Sequence, residues 1–273
     1  MEKLVLFILL MLPVAVFSQS PNKEETKSDL LSLTEEQKDS LFLLTEEYMI
    51  NGIDSVMNEG RFMQALELIN YIQVNWKNIT EQELSPRMYL KKGVILQYLE
   101  EWRDLVKTTE ECLSIHKGDI SDKIAAIMYG MQGNAHRNLE EYQKAIRSYE
   151  EGLYFYAETG DLGSQGDMLC SMALCYGKLG KHTMASSFYE KGINKFLEYF
   201  DISRSALLRS NFSVKDDPYK QTVLGVFAAH LFSLAVYEQN YGSNLNSMDY
   251  LLMAAHCGIS TAKSEYDRIF GYR

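Results

Sequence analysis

Proline is scarce in this sequence: four in 273 residues. A residue that interrupts helix interiors is rarely in the way, so a chain built mostly of helices is expected. Basic residues are outnumbered, 27 Lys and Arg against 37 Asp and Glu, for a formal charge of -10. That balance speaks against a nucleic-acid or other general polyanion binder, because neutralising phosphates takes clustered cations. The five histidines (116, 136, 182, 230 and 256) include no H-x-x-x-H pair, so no helical zinc site is expected. No glycine-rich phosphate loop is present, and no cofactor is implied. Disorder is not expected to dominate either, since 46% hydrophobic residues suffice for a sizeable core.

The N-terminus carries an address. "MEKLVLFILLMLPVAVFSQS" has Lys3, an apolar stretch from Leu4 to Phe17, and Ser18 before Gln19. This order reads as a secretory signal peptide over 1–18, cleaved near Ser18/Gln19. Its apolar run of about 14 residues is short for a membrane span of ~20. The exit "VFSQ" resembles signal peptides of exported Bacteroidetes proteins, and no Cys stands there to take a lipid anchor. Residues 19–35 are polar and read as a flexible lead-in. A periplasmic or extracellular location follows. The apolar stretch "VLGVFAAHLFSLAVY", residues 223–237, is also short for a span and reads as a buried helix, so the mature chain is expected without stable membrane insertion.

What the sequence does contain is a pattern. In "NLEEYQKAIRSYEEGL", residues 138–153, Ala145 has Tyr142 before it and Tyr149 after it, with Gly133 twelve places upstream. Forty residues on, Ala185 has Tyr189 and Gly192 after it and Ala173 upstream. Forty back, Leu105 has Trp102 before it and Gly93 upstream; forty further, Ala65 has Phe62 before it. Apolar residues between these points keep helical spacing. Glycine inside a helix costs up to ~1 kcal/mol, so its recurrence at one register points to two backbones in close approach.

This spacing resembles the tetratricopeptide repeat (TPR), a pair of antiparallel helices. The resemblance implies an all-α, TPR-like α-α superhelix (a solenoid), with four helix pairs over 36–200. Gly93, Gly133 and Ala173 take the small position of the first helix. Ala65, Ala145 and Ala185 take that of the second, followed by Tyr149 and Tyr189. In the family the first helices line a concave groove that binds a protein or peptide. Its groove positions correspond to Gln97, Tyr98, Asn134, Arg137, Asn138 and Lys178. Chaperone-binding members hold a peptide carboxylate there; Asn134 matches one such position, while Gly130 stands where they carry lysine. The implied partner is a protein or peptide of the cell envelope.

Past residue 200 the register is lost. Residues 201–218 read as a connection ending in Asp216-Asp217-Pro218. Over 219–273 a terminal helix pair is expected to cap the array, its second helix spanning 245–269. "YLLMAAHCGISTAKSEY" resembles a TPR or Sel1-like second helix, with Ala255 or Gly258 as the small residue. Other chemistry has thin support. Ser260 and Lys263 fit an S-x-x-K acyl-enzyme spacing without its companion motifs. An enzyme of that kind is the alternative reading, and a sensor component of an envelope signalling system is another. Cys170 and Cys175 fall on different faces of one helix and cannot readily pair. Cys112 reads as packing, with a bond to Cys170 or Cys257 left open.

Overall fold

The computed structural model describes residues 35–80, 82–242 and 244–270. The expected signal peptide, 1–18, and nearly all of the expected lead-in, 19–35, lie outside the described residues. Twelve helices make up the described chain: α1 Glu35–Asn58, α2 Phe62–Thr80, α3 Pro86–Tyr98, α4 Trp102–Ile115, α5 Asp122–Asn138, α6 Tyr142–Thr159, α7 Leu162–Lys178, α8 His182–Phe200, α9 Arg204–Leu207, α10 Pro218–Tyr241, α11 Asn244–His256 and α12 Ser260–Phe270. The chain divides into two compact units within the first turn of α5, after Ile124. The fold is all-α, a stack of antiparallel helix pairs.

The forty-residue stride is set at one kind of turn. First helices α1, α3, α5 and α7 end at Asn58, Tyr98, Asn138 and Lys178, and their partners begin at Phe62, Trp102, Tyr142 and His182. Between them Gly60, Glu100, Glu140 and Gly180 adopt φ of 75°, 58°, 61° and 71°. This left-handed residue lets the next amide turn back onto the helix: Glu101, Glu141 and Lys181 donate to the carbonyls of Leu96, His136 and Tyr176 at 2.9, 2.8 and 2.9 Å. Carbonyls that the helix end would leave bare are thereby satisfied. Three residues into each second helix, Ala65, Leu105, Ala145 and Ala185 are fully buried. Phe62, Trp102 and Tyr142 open their helices half-buried, and His182 opens α8 exposed.

In the first unit α1 to α4 bury Ile53, Ile69, Tyr89, Ile95 and Leu96 completely. Pro86 occupies the first turn of α3, and Ser85 caps it by accepting from the amide of Met88. Glu47 and Asp54 of α1 hold Arg87 and Lys91 of α3, the latter at 2.6 Å.

In the second unit Gly133 and Ala173 are buried. What approaches Gly133, however, is an aromatic ring: a β-carbon there would lie 2.5 Å from Tyr149 Cε1. The close approach of two backbones expected at Gly133 is found instead between α7 and α8. A β-carbon on Gly192 would meet the Gly166 carbonyl at 2.9 Å and the Cys170 amide nitrogen at 3.0 Å.

Two features depart from the sequence reading. The connection after α8 holds the short helix α9, whose Leu207 is fully buried and whose carbonyl lies 2.6 Å from His256 Nδ1. The expected helix over 245–269 is two helices, because Gly258 takes φ of 102° and the Ile259 amide folds back to the Ala254 carbonyl at 3.1 Å. Gly258 is therefore a turn residue rather than a packing position, and Ala255 is half-buried in α11. Asp217 caps α10 through the Lys220 amide at 2.9 Å, with Pro218 in its first turn. By length and composition α10 could cross a membrane (mean hydropathy 1.2). Its Phe227, Leu231 and Leu234 nevertheless fill the core of the second unit beside Phe196.

Candidate functional site

The six residues singled out from the sequence fall into both units. In the first, Gln97 is half-buried, and Tyr98, the last residue of α3, is 66% exposed. The Tyr98 ring stacks on Phe62, centroids 4.5 Å apart and planes 10° apart. It therefore braces the start of α2 while leaving one face to solvent.

In the second unit α5, α7 and α10 are tied along one face. Arg137 Nη1 reaches Ser171 Oγ at 3.4 Å, linking α5 to α7. Asp167 Oδ1 and His230 Nε2 lie 2.7 Å apart, linking α7 to α10. The ring of Tyr237 covers Gly177, where a β-carbon would sit 3.1 Å away. Position 177 is the counterpart of Arg137 and Gln97 one and two strides back, so the chain carries glycine where the Tyr237 ring packs on α7.

The polar residues on this face have unequal tasks. Asn134 Oδ1 accepts from the Tyr149 hydroxyl at 2.7 Å, so this amide serves the repeat interior. Asn138 Nδ2 donates to the Asn134 carbonyl at 2.8 Å and is exposed. Arg137 is half-buried. Burial pushes the Tyr149 phenol well up and the Cys175 thiol to about 11, and the Arg137 guanidinium opposes both shifts. Its charge is thus felt within the packed seam as well as at the surface. Lys178 ends α7, exposed and with no carboxylate partner among the described residues. Together Arg137, Asn138 and Lys178 offer N–H donors suited to carboxylate or carbonyl oxygens.

Sequence reasoning missed the histidine contacts. His136 Nδ1 lies 2.7 Å from Glu141 Oε2, across the turn between α5 and α6. His182 Nδ1 meets the Tyr237 hydroxyl at 2.8 Å. Neither partner is one helical turn away, so spacing gave no signal.

Ser260 and Lys263 do not form a catalytic pair. Both are exposed in the first turn of α12, and no hydrogen bond joins them. A shallow cleft of about 390 Å³ includes Ser260, Phe232 and the Glu265–Arg268 ion pair, but Lys263 does not line it. A nucleophilic serine needs a base within hydrogen-bond reach. Among the described residues no group of three or more His, Cys, Asp or Glu is placed to hold a metal ion. The four cysteines are free thiols; Cys112, Cys170 and Cys175 are buried.

Comparison with known proteins agrees with this architecture. The tetratricopeptide repeat family matches residues 126–159 and 166–194, both within the second unit. Among 34 matching solved chains, the crystal structure of MamA is 17% identical, with TM-score 0.50, over 77% of this chain and 96% of that one. The apo form of the quorum sensor NprR from B. thuringiensis is 14% identical, with TM-score 0.53, over 94% of this chain and 64% of that one. The chain thus spans less than two thirds of the NprR structure. No curated protein matches the sequence. At these identities the likeness is one of fold: an all-α, TPR-like stack of helix pairs.

Proposed function

We propose that the protein is an exported, non-catalytic scaffold that binds a protein or peptide partner of the cell envelope on the α5–α7–α10 face. The observation that carries this reading is Arg137 with Lys178: two cations on the first-helix face of a chain whose formal charge is -10. Arg137 has a long hydrogen bond to Ser171, and neither Arg137 nor Lys178 has a carboxylate partner among the described residues. Exposed donors on a rigid helical face are what a partner's carboxylates and carbonyls would engage. The quorum sensor among the similar structures shares the fold, and nothing of its ligand is carried over.

Capture from envelope extracts by the mature protein and by Arg137→Glu/Lys178→Glu tests the face. Loss of the captured partner from the double variant is expected, and equal recovery by both proteins overturns the assignment. Export is tested by fractionation with N-terminal sequencing of the native protein. A mature chain beginning at Gln19 is expected; a cytoplasmic chain that keeps residues 1–18 removes the envelope reading.

A further inference from the structure

The α7–α8 turn and the C-terminal end of α10 form an aromatic platform flanked by lysines. His182 stacks on Tyr241, centroids 4.4 Å apart and planes 22° apart. Tyr237 lies against both, 5.9 Å from the His182 ring and 5.2 Å from that of Tyr241, and bonds His182 through its hydroxyl. Tyr241 is nonetheless 64% exposed. An outward-facing tyrosine held by two ring contacts is a rigid apolar surface rather than a loose side chain. Lys178 and Lys181 adjoin its anchoring residues along the chain: Lys178 follows Gly177, on which Tyr237 packs, and Lys181 precedes His182 and leans over the Tyr176 ring at 5.9 Å. Neither ammonium has a carboxylate partner among the described residues. Of the carboxylates in the vicinity, Glu150 is felt at the Tyr176 ring, and Glu238 is buried and turned toward the start of α11, where it meets Asn246 at 3.4 Å.

A lysine at a helix C-terminus is favoured by the helix dipole, which accounts for Lys178 alone. It accounts neither for Lys181, beyond the helix, nor for an exposed ring kept in place. We propose that this platform is a docking site for an acidic protein segment that carries an aromatic or large aliphatic side chain. The apolar side chain would lie on Tyr241, and the flanking carboxylates would meet Lys178 and Lys181. The choice of occupant follows from charge complementarity: in an acidic protein, two cations without a carboxylate partner among the described residues, next to an aromatic surface, favour an acidic partner and disfavour a basic one. The inference rests on the binding function proposed above and adds a place and a chemistry to it.

The test is fluorescence anisotropy on the full mature chain. The probes are a labelled Glu-rich peptide with one central Phe, a Lys-rich counterpart, and an oligogalacturonate as an acidic ligand of another class. The Glu-rich peptide is expected to bind and the Lys-rich one not. Lys181→Glu should weaken binding about tenfold and raised salt should weaken it too, since the contacts are solvent-exposed. Tyr241→Ala should weaken it about fivefold, and Tyr241→Phe should retain it. Lys195→Glu, at a cation already paired with Glu198, should change nothing. No binding of the Glu-rich peptide, unchanged binding by Lys181→Glu, or capture of the oligogalacturonate in its place would overturn the proposal. Arg137 is intact throughout. If Arg137→Glu loses the envelope partner while Lys181→Glu keeps it, the face survives and the platform does not.

Discussion

Tyr149 and Tyr189 occupy the same place in successive helix pairs, yet among the described residues their hydroxyls fare differently. The Tyr149 hydroxyl bonds Asn134 at 2.7 Å, whereas the fully buried Tyr189 hydroxyl has no partner among them. The residue one stride on from Asn134 is Leu174, which has no acceptor to offer. A buried hydrogen bond contributes about 1 kcal/mol, and an unsatisfied hydroxyl carries a desolvation cost instead. Tyr149→Phe should therefore destabilise by about 1 kcal/mol and Tyr189→Phe should be neutral or stabilising. Urea unfolding followed by circular dichroism measures both, and equal losses would refute the distinction.

Glycines in this chain should respond to alanine in three ways. Gly192→Ala is expected to be the most damaging, because the Gly166 carbonyl and the Cys170 amide belong to a facing backbone that cannot yield. Gly133→Ala should cost less, since a tyrosine ring can tilt, whereas Gly133→Leu should disrupt the centre of the second unit. Gly225 meets nothing within 4 Å on an exposed face of α10, so Gly225→Ala should stabilise by about 0.5–1 kcal/mol. Melting temperatures should rank the three in that order.

Glu100 and Glu140 hold the left-handed conformation that Gly60 and Gly180 hold at the equivalent turns. A side chain in that region is strained by roughly 1 kcal/mol or more. Glu140→Gly should raise the melting temperature, and Gly180→Val should lower it. A Glu140→Gly protein that melts earlier than its parent would show that the turn is held by the side chain instead.

The buried thiols and phenols set an alkaline limit. Burial pushes Cys112 and Cys257 up to about 12 and Cys175 to about 11, from 9.0, and Tyr156 to about 12, from 10.0. In the unfolded chain these groups lose their protons first. Their contribution to stability is thus complete below about pH 9 and falls as pH climbs toward 11–12. Unfolding by urea should become easier across that window and stay flat from neutrality to about pH 8.5. Since the thiolate is the reactive form, native protein should resist iodoacetamide at neutral pH and react once unfolded.

Much of the architecture could be read from the stride. Ala65, Leu105, Ala145 and Ala185 are legible because a position buried in every pair tolerates few residue types, and all four are indeed fully buried. The left-handed turn was not legible, because glutamate stands in it twice and glutamate does not announce positive φ. The break at Gly258 was hidden by apolar periodicity that runs through both α11 and α12. The candidate face was legible only as polarity. Asn134 and Arg137 look alike in a pattern of polar residues, but Asn134 is turned to Tyr149 while Arg137 crosses to the next helix. Which of them is free for a partner depends on residues 15 and 34 positions away, and local pattern holds no trace of such distances.

Within each pair the link from first helix to second is invariant, whereas the links between pairs are not: α4 reaches α5 through residues 116–121, and α6 reaches α7 through 160–161 alone. The stride survives because helix lengths absorb the difference. Affinity tags, fluorophore-bearing inserts or grafted domains should consequently be spliced at 117–119, which are exposed, and never beside Glu140 or Gly180.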